Sequence, residues 1–112
     1  MDLRELRFGI EIEMTGITRR TAAETAAAYF GARAFYIGSY YDTHAALDSQ
    51  GRQWKFMSDS SIDAQRKANG QKRDAGREYQ TEMVSPICRY EDIETIQEII
   101  RKLKEQGAFV NE

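Results

Sequence analysis

The chain has 112 residues, 41% hydrophobic and 30% charged, enough for one globular domain and too balanced for wholesale disorder or a collagen-like repeat. Sixteen Lys and Arg against eighteen Asp and Glu leave a formal charge of −2, so neither nucleic acid nor anionic membrane is attracted globally. No apolar run approaches membrane-spanning length and residues 1–7 carry no apolar leader, while the one cysteine, Cys88, and the one histidine, His44, are too few for a zinc site; a reducing, cytoplasmic setting is expected.

Phe8, Ile10, Ile12 and Met14 alternate with Arg7, Gly9, Glu11 and Glu13, which predicts a strand over 6–14, broken at Thr15-Gly16. A helix is expected over 21–29. Thr21 and Glu24 have capping-box spacing, Ala is dense, and Gly31 suits the position after the last turn. A short apolar stretch follows over 34–37. Residues 41–47 and 52–58 read as a hairpin closed by Asp48-Ser49-Gln50-Gly51, with Trp54 and Phe56 on one face and Gln53, Lys55 and Met57 on the other. The polar segment 63–76, with Arg66, Lys67, Lys72 and Arg73, reads as a mobile, mildly basic loop. A strand over 78–85 ends at Pro86. The clearest helix is expected over 91–106, with Ile93, Ile96, Ile99, Ile100 and Leu103 in one stripe, acids first, bases last, and Gly107 as its stop. This order predicts an α+β fold: a mainly antiparallel sheet with two helices on one face, its other face left to polar strand side chains.

The residues best suited to chemistry lie on that polar face. Period two puts Glu11 and Glu13 on the same side of one strand, with Cα atoms about 6.5–7 Å apart. Two anions aimed into the same space repel each other unless a cation lies between them; the alternative is a plain solvated face. Asp59 follows the strand over 52–58 and either joins a site there or closes a turn. Glu82 lies within the strand over 78–85. Four carboxylates on or beside three strands form an oxygen-rich set that suits Mg²⁺ or Mn²⁺. His44, a lone histidine, is assigned a structural role, and Tyr36, Tyr40 and Tyr41 are assigned to packing near a cleft.

Phe8-Gly9-Ile10-Glu11-Ile12-Glu13, then Trp54-Lys55-Phe56-Met57-Ser58-Asp59-Ser60-Ser61-Ile62, then Glu82-Met83-Val84-Ser85-Pro86 resemble, in order, the blocks of the amidoligase family. That family is related to carboxylate–amine ligases of glutamine synthetase and glutamate–cysteine ligase fold. The resemblance implies an ATP-dependent ligase in which a carboxylate is phosphorylated and an amine then attacks the acyl phosphate. It implies Glu11, Glu13, Asp59 and Glu82 as catalytic metal ligands, Lys55 as a contact to phosphate or substrate carboxylate, and ATP with Mg²⁺ or Mn²⁺ as cofactors. It also implies small-molecule or peptide carboxylate and amine substrates, with no nucleic acid or membrane partner. Because the family's catalytic domains are longer, residues 1–112 are expected to form a single domain that is the N-terminal part of a catalytic domain. That part is expected to be incomplete or inactive alone, and to pair with a C-terminal part or with its own copies as a homo-oligomer. The alternative function is a non-catalytic α+β binding or self-association module; a two-metal phosphodiesterase is a third reading, disfavoured for want of a His or Lys tied to the carboxylates.

Overall fold

The computed structural model describes residues 2–110. Its regular elements are β1 (Glu11–Met14), α1 (Arg19–Phe30), β2 (Phe35–Gly38), β3 (Thr43–Leu47), β4 (Gln53–Met57), β5 (Gln65–Ala68), β6 (Gln71–Asp74), β7 (Thr81–Val84) and α2 (Ile93–Glu105). Single 3₁₀ turns cover Leu3–Glu5, Arg77–Tyr79 and Tyr90–Asp92. The fold is α+β, as expected. Five strands form one sheet in the order β1-β7-β4-β3-β2, with every neighbouring pair antiparallel.

Alternation decides which side chains go inward. Trp54, Phe56 and Met83 are fully buried and join Met14, the alanines of α1 and Ile96, Ile99 and Leu103 of α2 in one core. Both helices therefore supply the apolar layer on one face of the sheet. Phe30 tilts against Trp54 with ring centroids 5.7 Å apart, which seals the α1 end. Cys88 is buried in the same core, as an ordinary unpaired thiol. Among the described residues no helix is long and apolar enough to cross a membrane.

Several local expectations need correction. The segment 63–76 is not a loop: β5 and β6 make a two-stranded hairpin. Its turn is Asn69-Gly70, with φ of 53° and 77°, the conformation that two-residue hairpins favour and that Asn-Gly supplies. Lys67 and Lys72, which face each other across this hairpin, share the Phe109 ring, with Nζ atoms 6.0 and 4.6 Å from its centroid. Helix α1 is capped by Thr18, whose side chain accepts from the Thr21 amide at 3.2 Å, so the Thr21–Glu24 pair lies inside the helix. Gly31 ends it with φ 72°, as its position suggested. The first strand is shorter than the alternating pattern, because Phe8 makes only an isolated bridge to Cys88. Likewise the 78–85 segment starts as a 3₁₀ turn and pairs only from Thr81.

Two fastenings hold the layers. Arg52 in the β3–β4 connection binds Asp92 with both terminal nitrogens, at 2.9 and 2.8 Å, and Asp48 through Nε at 2.9 Å. Asp48 also accepts from Trp54 Nε1 at 3.0 Å, and Asp92 accepts from the Arg89 amide at 2.8 Å. The turn is thereby tied to the start of α2. At the other end of α2, Thr15 and Phe109 exchange two backbone hydrogen bonds of 2.9 Å, docking the chain after the helix onto the end of β1.

Candidate active site

The sheet face away from the helices carries the carboxylates. Glu13 on β1 is the register partner of Glu82 on β7, and Glu82 in turn opposes Met57 on β4. Directly opposite residues share a face. Asp59 lies two residues beyond Met57 and continues that side. One oxygen each from Glu13, Asp59 and Glu82 lie within 4.8 Å of one another. Glu11 is one row away, opposite Val84, and Val84 opposes Lys55. Glu11 is exposed and outside the close set, yet near enough for its charge to act on Glu13 and Glu82. Lys55 is half-buried on the same face.

Glu13 and Glu82 report this crowding. Asp59, the acceptor for a protonated Glu13, raises the Glu13 pKa above its ordinary value, with Asp59 and Glu11 charge adding to the effect. Burial raises the Glu82 pKa first, and the charges of Glu11, Asp59 and Glu13 raise it further. Asp59 goes the other way. Its Oδ1 accepts from the Ser61 hydroxyl at 2.7 Å and the Ser61 amide at 2.9 Å, and these bonds hold its pKa below the usual range. The turn role and the site role of Asp59 are thus one arrangement: Ser61 fixes the carboxylate beside Glu13.

The donor set fits a small divalent cation. Six-coordinate Mg²⁺ at about 2.1 Å needs neighbouring oxygens about 3 Å apart and opposite ones about 4.2 Å apart. The three oxygens lie within 4.8 Å of one another, close to those spacings, and Glu13 is exposed. Carboxylate oxygen is also the donor that hard cations select.

An open cleft of about 790 Å³ adjoins the cluster, lined by Asp59 and Glu82 together with Arg19, Tyr40, Asp42 and Arg77. Sequence reasoning did not single out Arg19, Asp42 or Arg77. A signal was present for Arg19: it opens α1, where the helix dipole disfavours a cation, and the first turn holds no acid. Arg19 is 9% exposed. Its Nε donates to Asp42 at 3.0 Å, and Nη1 donates to the carbonyls of Arg77 and Gln80. Burial pushes the Asp42 pKa up, but the bonds from Arg19 and Tyr36 outweigh it and keep this carboxyl below the usual range. Tyr40 is 93% exposed, so its expected packing role is corrected: it rims the cleft. Tyr36 stacks at an angle on His44, ring centroids 4.8 Å apart, at the edge of the helix-covered face. Burial lowers the His44 pKa against the pull of the Asp42 charge, which favours the neutral ring.

The model of a family described as putative amidoligase enzymes matches residues 4–112. The chain belongs to the amidoligase family. No curated protein and no solved structure gives a match. Within this amidoligase chain the matched region takes in every strand of the sheet and all four carboxylates named above.

Cation binding at the cluster would have a stability signature. A carboxyl whose pKa is raised by folding stabilises the fold below its unfolded pKa and loses that contribution as pH rises through the raised value. Glu13 and Glu82 are of this kind, so at pH 7 without metal they oppose folding. Millimolar Mn²⁺ or Mg²⁺, at about ten times its dissociation constant, is expected to add about 1.4 kcal/mol and raise Tm by about 6 °C. Glu13→Gln and Glu82→Gln are expected to melt higher than the parent in chelator and to show no rise with metal. Identical scanning calorimetry traces for the parent with and without Mn²⁺ would exclude the site.

Proposed function

We propose that this amidoligase joins a carboxylate to an amine at the expense of ATP, with Mg²⁺ or Mn²⁺. The observation that supports the reading is the convergence of Glu13, Asp59 and Glu82 on the free sheet face, at the wall of a cleft that also holds guanidinium groups. A divalent cation held by these three residues supplies charge neutralisation to phosphate oxygens, the main requirement of phosphoryl transfer. In the reaction a carboxylate oxygen takes the γ-phosphoryl group and ADP leaves. The amine nitrogen then attacks the acyl carbon, phosphate departs, and the nitrogen gives up a proton. The residues of this chain position those groups. The carboxylate cluster also attracts an ammonium substrate, and Glu11 and Lys55 border it on the next row of the sheet. In this reading the antiparallel sheet is the part of a glutamine synthetase-like catalytic sheet that carries the metal, and the protein is cytoplasmic.

Hydroxylamine tests the proposal, because it traps an acyl phosphate as a hydroxamate. Hydroxamate and ADP are expected to appear together from a panel of carboxylic acids, only with Mg²⁺ or Mn²⁺. Glu82→Gln is expected to cut the rate by about a hundredfold, the usual scale for loss of one preorganised charge-stabilising group. Hydroxamate formation that ignores the metal or the Glu82 substitution would refute the assignment.

A self-association module is the second reading, and the β2 edge favours it. Phe35, Tyr36 and Ile37 are 37, 61 and 45% exposed on a terminal strand that carries no charge. Such edges invite pairing with another chain. Sedimentation equilibrium at micromolar concentration is expected to show a homodimer or higher species that Ile37→Lys disperses. A monomer at every concentration would remove this reading.

A further inference from the structure

We propose that the Arg77 guanidinium is the docking group for a carboxylate of the acid substrate, held in the cleft beside Asp59 and Glu82. This assignment rests on the ligase reading above. Arg77 combines an anchored backbone with an unengaged head. Its carbonyl accepts from Arg19 Nη1 at 3.0 Å and from the Gln80 amide at 2.9 Å. Arg19 is itself pinned to Asp42, so the 3₁₀ turn at Arg77–Tyr79 is strapped onto the start of α1. Among the described residues, however, the Arg77 side chain makes no hydrogen bond and no ion pair, although it lines the cleft.

The charges of the cleft single this group out. Arg19 and Asp42 satisfy each other, which leaves Asp59, Glu82 and Arg77 as the lining charges free to meet a ligand. The cleft therefore carries both cation-seeking and anion-seeking groups. Its volume of about 790 Å³ is that of a small-molecule site. Phosphates drawn to a metal at the carboxylate wall already have their counter-charge. The other anion that the chemistry must bring to this place is a carboxylate, and the planar guanidinium fork matches it with two parallel hydrogen bonds. Tyr40 stands at the rim, 93% exposed and edge-on to the Tyr41 ring with centroids 5.3 Å apart, where its open face can cover the carbon chain of the ligand.

Nitrogen-15 NMR of the whole chain tests this, following the Nε–Hε resonance of Arg77. Glutarate serves as the dicarboxylate probe, and Mg²⁺ with a non-hydrolysable ATP analogue is the second arm. Glutarate is expected to shift the Arg77 resonance saturably, and Arg77→Gln to weaken glutarate binding about tenfold or more while the spectrum stays dispersed. Arg66→Gln, on the β5–β6 hairpin and outside the cleft lining, is expected to leave it unchanged. A response to the nucleotide but not to glutarate would overturn the carboxylate assignment. So would no response to either probe, or an equal loss from Arg66→Gln, which would mark unspecific charge attraction. Should glutarate bind through Arg77 while the nucleotide perturbs nothing near Glu13, Asp59 and Glu82, the carboxylate site stands and the ATP-dependent reading falls.

Discussion

Arg52→Ala is expected to destabilise the fold by about 3 kcal/mol, the lower end of the cost of stranding a buried charge. The substitution removes the cation from between Asp48 and Asp92, whose side chains are 5 and 10% exposed. Asp92 loses a bidentate partner, and the β3–β4 turn loses its tie to α2. The pH dependence should change with it. Arg52 is the main reason that the Asp92 pKa is held below the usual range. Burial raises the Asp48 pKa, but its bonds from Trp54 and the Arg52 and Gln50 amides outweigh this and lower it. Folded values below the unfolded one, about 3.9, stabilise the fold above that pH and lose the contribution as pH falls through the lowered values. Urea titrations from pH 7 to 2 are therefore expected to show a steep acid decline in the parent and a shallower one in Arg52→Ala. Parallel curves would show that the guanidinium is not the source of the acid sensitivity.

Gly16→Ala is expected to cost about 3 kcal/mol, as the sum of left-handed backbone strain and overpacking. Gly16 has φ +82°, and an added Cβ would fall on the Gly107 carbonyl and 2.6 Å from Phe109 Cε1. Neither neighbour can retreat easily. The Gly107 carbonyl is backbone, and Phe109 has its main chain bonded twice to Thr15 and its ring covered by Lys67 and Lys72. Thermal unfolding is expected to shift down by roughly 15 °C. Gly51→Ala, also at positive φ but with open space around it, is the matched control for strain without collision. A loss at Gly16 no larger than at Gly51 would show that close backbone approach is unimportant.

The parts of the fold that rest on side-chain period were legible in the sequence. Ile12 and Met14 inward with Glu11 and Glu13 outward, Trp54 and Phe56 inward with Lys55 outward, and the burial of Ile96, Ile99 and Leu103 each follow from spacing alone, whereas Ile93 of the expected stripe is 39% exposed and Ile100 only partly buried. The β5–β6 hairpin was obscured by its charge: Arg66 faces Arg73 and Lys67 faces Lys72, pairings that ordinarily disfavour a ladder. The Asn69-Gly70 signal was nonetheless present. The Thr18 cap was hidden by Thr21, because two threonines three apart offer the same chemistry. At the site, alternation could place Glu11, Glu13 and Glu82 on a face, but only the register of β1, β7 and β4 sets which of them meet. The Arg19–Asp42 pair depends on a left-handed Asp42, φ 49°, which no spacing rule reveals.

The pairing of β1 with β7 has a kinetic consequence. Local segments such as the β3–β4 hairpin can close early, whereas the Ile10 amide must find the Ser85 hydroxyl across 75 residues. Thr15 likewise waits for Phe109, near the end of the described chain. The three carboxylates thus assemble only when the long connection between β1 and β7 closes, after most of the ordering entropy has been spent. A cation bound there has little to hold in the folding transition state. It should act on the unfolding limb of a chevron, slowing escape from the native state while leaving the refolding rate nearly untouched.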